Sequence, residues 1–131
     1  MSSEQNRPTP FTAERYLSVE TYRRTGQAVA TPVWFVVDGG VIYVYSLADA
    51  GKVKRIRNNP RVRIAPCDVR GALKGAWLDA TARIVDEREA AAAQKLLVAK
   101  YGWQKKLFDL LRKIRPRPRA VIAIDAHSAS R

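Results

Sequence analysis

The residues best suited to chemistry cluster in two neighbouring stretches. Lys52, Lys54, Arg55 and Arg57 fall in GKVKRIRNNPRVRIAPC, and no acid interrupts that run from Gly51 to Cys67. Arginine offers a planar bidentate fork and lysine a compact point charge, a pair suited to phosphate. On a helix, Lys52, Arg55 and Asn59 recur at i, i+3 and i+7 and share a face, while Lys54 lies on another. Upstream, Thr31-Pro32-Val33-Trp34 opens an apolar segment. Proline inside a strand run marks an edge or a bulge, where free backbone groups can meet a ring with carbonyl and imide edges. Together the two stretches suit a ligand with a flat head and a phosphate tail. Each also has a plainer reading: a charge run is usually a solvated face, and an edge proline guards a strand against aggregation.

Other chemistries lose ground on composition. With one histidine, His127, and one cysteine, Cys67, a single chain cannot assemble a zinc site from nitrogen and sulfur ligands. A Cys/His nucleophile pair would need the polar tail DAHSASR to fold back onto Cys67. Between Pro66 and Asp68 that cysteine reads as a buried structural thiol. The net charge of +12 attracts anions without choosing among nucleic acid, acidic lipid and small polyanions. From Trp103 to Arg119 an apolar stripe is surrounded by cations, among them Lys105, Lys106, Arg112 and Lys113. The stripe is expected to pack on the domain or on a partner subunit with its cations outward. No aromatic RNA-binding signature or helix-turn-helix spacing accompanies it, so nucleic acid is not an expected partner. MSSEQNRPTP lacks the apolar core of a signal peptide. No window nears the roughly 18 apolar residues of a membrane span. A cytoplasmic protein without stable membrane insertion is expected, its lone cysteine suiting a reducing compartment.

The elements that must position these residues follow from periodicity. Residues 1–12 read as a flexible arm, 13–127 as one domain and 128–131 as a tail. Strands are expected over 16–23, 28–37, 41–46, 61–67, 76–85 and 120–125. Thr25-Gly26-Gln27 makes the first turn, and Asp38-Gly39-Gly40 makes a type I′ hairpin that needs positive φ. Residues 41–46 are nearly all apolar or aromatic and should be buried on both faces. A short helix over 48–58, with Asp49 available as its N-cap, should stop at Asn58-Asn59-Pro60. A longer helix over 86–100 has Asp86, Glu87 and Glu89 in its first turn, Lys100 near its end and Gly102 beyond. A further helix is expected across Trp103 to Ile114, broken by Arg115-Pro116-Arg117-Pro118-Arg119. Six adjacent strands with late helices make a mainly β, α+β chain: a small antiparallel barrel with helical additions.

With these elements in place, TPVWFVVDGGVIYVYS together with GKVKRIRNNPRVRIAPCDVRG resembles the flavin/deazaflavin oxidoreductases related to pyridoxamine 5′-phosphate oxidase. It is most similar to their small actinobacterial branch, described as coenzyme F-420-dependent enzymes. The resemblance spans about residues 15 to 127. It implies a six-stranded split β-barrel of the FMN-binding type, dimerised with two cofactor sites at the subunit interface. It implies that Thr31, Val33 and Trp34 meet the ring, Tyr45 and Ser46 the ribityl chain, and Lys52, Lys54 and Arg55 the phosphate. Arg57 is a weaker candidate, and Arg70 and Lys74 are candidates for the oligoglutamate tail of F-420. The implied cofactor is F-420, with FMN or haem bound by other members of the superfamily. The implied activity is hydride transfer to a small unsaturated acceptor, with water, Tyr43 or Tyr45 as the proton source. The chain is shorter than pyridoxamine phosphate oxidases proper, so oxidation of that vitamer is not implied. A cofactor-storing module without turnover is the alternative from another class.

Overall fold

A computed structural model describes residues 14–47, 50–102 and 119–126. Among the described residues, seven strands form one antiparallel sheet: β1 (Tyr16–Tyr22), β2 (Ala28–Val33), β3 (Phe35–Asp38), β4 (Val41–Leu47), β5 (Arg61–Cys67), β6 (Leu78–Ile84) and β7 (Arg119–Ala126). Helix α1 (Gly51–Asn58) lies between β4 and β5, and α2 (Glu87–Tyr101) between β6 and β7. The expected arm and tail, and the helix expected across Trp103 to Ile114, lie outside the described residues. No described helix is long and apolar enough to cross a membrane.

The strand order β2-β1-β5-β6-β7-β4-β3 puts β2 and β3 at opposite edges. Yet only Trp34 separates them in the chain. A single residue cannot cross an open sheet, so the sheet must curl until its edges meet: a split barrel with its seam at Trp34. This corrects the single strand expected over 28–37. Val33 still pairs with Leu17 of β1, whereas Phe35 pairs with Val44 of β4. Seven strands therefore stand where six are expected, and the architecture is otherwise the anticipated one. Pro32 sits on an edge strand, opposite Ser18.

Local chemistry sets the elements. Gly39 and Gly40 have φ of 59° and 82° in the two-residue connection between Asp38 and Val41. That matches the type I′ geometry, and it fixes the β3–β4 register. In β4, Ile42 and Val44 enter the barrel core while Tyr43 and Tyr45 face a second cluster under α2. Both faces are buried, as the unbroken apolar run predicts. The core is closed from one side by Val53 and Ile56 of α1.

Helix α2 is capped by Asp86, whose side chain accepts from the Glu89 amide at 2.9 Å, and it ends at Gly102 with φ of 58°. Helix α1 departs from expectation at its start. Its N-cap is Ala50, which makes no side-chain cap bond, and no acid lies in the first turn. Within the helix itself, no carboxylate offsets the positive partial charge at that end. Asn59 closes the helix ahead of Pro60, with its amide donating to Arg55 O at 2.8 Å.

Candidate functional site

The seam opens into a groove of about 260 Å³, lined by Pro32, Val33, Trp34, Tyr45, Ser46, Ala50 and Lys52. Three elements meet there: the end of β2, the end of β4 and the uncapped start of α1. Val33 supplies an apolar wall, Trp34 an aromatic one and Ser46 a hydroxyl. Lys52 brings an ammonium from the first turn of α1. Burial pulls this lysine below the usual ammonium range, and the Arg55 charge adds to the pull. A bound anion would offset both effects.

The eight residues picked from the sequence divide into two groups. Val33, Trp34, Tyr45, Ser46 and Lys52 share the groove. Thr31, Lys54 and Arg55 do not line it. By strand alternation Thr31 shares the inward face of β2 with Val33, and its Oγ1 is buried without a hydrogen-bond partner. Arg55 turns toward β1, where its Nε donates to Thr21 Oγ1 at 2.6 Å. Its guanidinium folds over Gly51, so that a Cβ there would lie 2.7 Å from Nη1. Arg55 therefore stands at the first turn of α1, behind the groove rather than in it. Lys54 is exposed, on another face of the helix.

The weaker candidates also separate. Arg57 is exposed, and Lys74 Nζ is paired with Glu14 at 2.8 Å. Arg70 lies in a tight loop whose amides at Arg70 and Ala72 both donate to Asp68 Oδ1 at 2.9 Å. Tyr43 is corrected as a proton source for the groove. It lies in the cluster under α2, where its hydroxyl donates to Glu89 Oε2 at 2.7 Å and burial pushes its pKa up to about 12. Cys67 is 1% exposed, and burial raises its thiol, as a structural cysteine requires.

Sequence reasoning does not single out Tyr101, which ends α2 and touches the site from behind. Its ring stacks on Trp34 with centroids 4.8 Å apart and planes 17° from parallel. Its hydroxyl accepts from Phe35 N–H at 2.9 Å, and its one proton is shared between Arg15 O and Phe35 O, each at 2.9 Å. The available signal is Ala93, Leu97 and Tyr101 at i, i+4 and i+8 on the buried face of α2. That periodicity marks a core position and says nothing of the partner.

The donor set fits a nucleotide-like cofactor. An aromatic and aliphatic wall, the Ser46 hydroxyl and a desolvated ammonium at a helix start match a flat ring with polar edges and an anionic tail. The fold and this groove define a split-barrel protein of the pyridoxamine 5′-phosphate oxidase type. More particularly, the chain belongs to the pyridoxamine 5′-phosphate oxidase family, which matches residues 9–130.

Solved structures share the fold. HutZ, the haem storage protein of Vibrio cholerae, superposes with a TM-score of 0.71 at 18% identity, covering 93% of this chain and 89% of that one. A conserved hypothetical protein of Mycobacterium tuberculosis gives 0.70 at 22% identity, over 98% and 82% of the two chains. An F420 reductase gives 0.57 at 18% identity, over 91% and 92%. No curated protein sequence matches the chain.

Proposed function

We propose that the protein is an oxidoreductase that uses coenzyme F-420, with FMN as the alternative cofactor, to reduce a small unsaturated acceptor. The observation that carries this reading is the groove itself: wall, hydroxyl and ammonium converge at the end of the barrel seam. The deazaflavin is preferred on the sequence resemblance, and an F420 reductase shares the fold across most of both chains.

When bound, a reduced deazaflavin or flavin supplies a hydride to an acceptor, chemistry that belongs to the cofactor. The chain's own residues bind and orient. Trp34 and Val33 give the ring an apolar bed, and Thr31 lies on the same face of β2 as Val33 without lining the groove. Ser46 and Tyr45 border the linking chain. Lys52, beside the start of α1, holds the phosphate, and Arg55 behind it adds positive potential. Lys54 faces away and contributes through the general field alone.

At about 260 Å³ the groove is smaller than the roughly 300–1,000 Å³ of sites that enclose whole cofactors. A second copy of the chain would cover the open side, so the working unit is a homodimer with two sites at the interface.

The test mixes purified protein with F-420 and, separately, with FMN, and follows co-elution and fluorescence. Micromolar binding of F-420, weakened by Lys52→Ala, supports the reading. Failure of both cofactors to bind defeats it.

A further inference from the structure

Trp34 belongs to neither β2 nor β3, so no strand pleat sets the direction of its side chain. Its neighbours in the chain are pinned on opposite edges of the sheet. The orientation of the indole must come from a tertiary contact, and its ring partner is Tyr101. The two rings are nearly parallel at 4.8 Å and 17°. Tyr101 itself is held firmly: it is 2% exposed, and its hydroxyl is fixed to the backbone on two segments, at Arg15 and at Phe35. Phe35 is an edge residue of β3, and one phenol oxygen serves both its N–H and its C=O, standing in for a missing strand. The surroundings reinforce the hold. The Lys100 ammonium lies 3.5 Å from the Phe35 ring centroid, and the Arg15 guanidinium carbon lies 5.4 Å from that of Tyr101.

We infer that Tyr101 is the positioning residue of the ring site: it sets the angle of Trp34, and thereby the aromatic wall of the groove, from the last turn of α2. This deepens the proposed function and rests on it for the identity of the ring. Tyr101 touches no groove surface itself, so its influence runs through the stack and through the backbone of Phe35. Burial pushes its hydroxyl up to about 12, so the proton that ties α2 to β3 stays in place across the physiological range.

Two readouts test this. The indole N–H resonance of Trp34, identified by its loss in Trp34→Phe, reports ring orientation without any ligand. Titration with F-420, FMN and riboflavin reports ring binding. Tyr101→Leu should shift or broaden the Trp34 resonance and weaken the cofactor that binds by roughly tenfold or more. Ile64→Ala, a cavity in the barrel core, should lower stability yet leave the resonance and the affinity within about threefold of wild type. Tyr101→Met serves with the same readouts where the leucine variant does not fold. An unchanged Trp34 resonance in the Tyr101 variants overturns the inference, as does an equal loss of affinity in Ile64→Ala. If wild-type protein binds none of the three ligands, the proposed function falls, and the resonance alone then decides the role of Tyr101.

Discussion

Arg55 folds back over Gly51, so that a Cβ added at Gly51 would sit 2.7 Å from Arg55 Nη1. The glycine is a cradle for the guanidinium, and the far end of a flexible side chain is what would have to move. Gly51→Ala therefore has opposed effects. Alanine suits a helical position better than glycine by about 0.5–1 kcal/mol, so the melting temperature should hold or rise slightly. The displaced guanidinium leaves the start of α1, and affinity for a phosphate-bearing ligand should fall roughly three- to tenfold. Thermal melting and a fluorescence titration on the same sample check both halves. A parallel fall in stability and affinity would show that the cradle reading is wrong.

The basic run should act unevenly rather than as a block. Lys52 lines the groove, Arg55 is tied to Thr21 behind it, and Lys54 is exposed. A hydrogen bond to a charged group is worth about 1.5–3 kcal/mol, so Lys52→Ala should cost phosphate-bearing ligand roughly 10- to 100-fold in affinity. Lys54→Ala should cost less than about threefold, and that small loss should vanish in high salt as the field is screened. Riboflavin, which has no phosphate, should bind all three proteins alike. Equal losses for Lys52→Ala and Lys54→Ala would mean that only net charge matters.

Much of this arrangement is legible locally. Asp38-Gly39-Gly40 announces its hairpin because two positive-φ residues are needed there, and Asp86 with the alanine run announces α2. The face shared by Lys52 and Arg55 follows from helical spacing alone. What escapes is non-local. Residues 28–37 carry one continuous β pattern whether or not the chain changes edges at Trp34, because alternation reports faces and not partners. Arg55 is drawn from the groove by Thr21, a residue on a distant strand, and nothing in the basic run encodes that bond. Asp49 satisfies the type preference for an N-cap, yet the N-cap position falls to Ala50, which makes no side-chain cap bond. The stack of Trp34 on Tyr101 likewise joins a strand break to a helix end, and only the closed barrel brings them together.

Stability should respond to pH through Lys100. Burial beside the Arg15 charge brings its ammonium down to about 8 from an ordinary 10.5, with Glu14 opposing. Between those values the unfolded chain binds the proton and the folded chain does not, so stability rises with pH across the window. Cys67 pulls the other way, its thiol being raised in the folded state from an ordinary 9.0. Tyr43 and Tyr101 do the same above their ordinary 10.0, because folding pushes both up to about 12. Urea unfolding followed from about pH 7 to 10 should therefore show a midpoint that climbs first and then turns down. Lys100→Met should flatten the climb and leave the later fall, apart from a smaller contribution from Lys52, which burial also depresses. A climb of undiminished slope in Lys100→Met would assign the effect elsewhere.

Cys67 should be chemically silent while the protein is folded. Its residue is 1% exposed at the end of β5, where Leu73 bridges to it from the following loop. Burial raises the thiol, and the charges of Asp68 and Glu14 push the same way against Lys74. A thiol reacts as its thiolate and only when reached, so both conditions fail together. Labelling by a disulfide reagent at about pH 8 should proceed only through transient opening, slower than in denaturant by roughly a thousandfold or more. Cys67→Ala should cost about 1 kcal/mol and keep cofactor binding. Cys67→Ser should cost more, because a hydroxyl would replace the sulfur in a site that offers it no established partner. Rapid labelling of the folded protein, or loss of cofactor binding in Cys67→Ala at matched stability, would instead give this cysteine a working role.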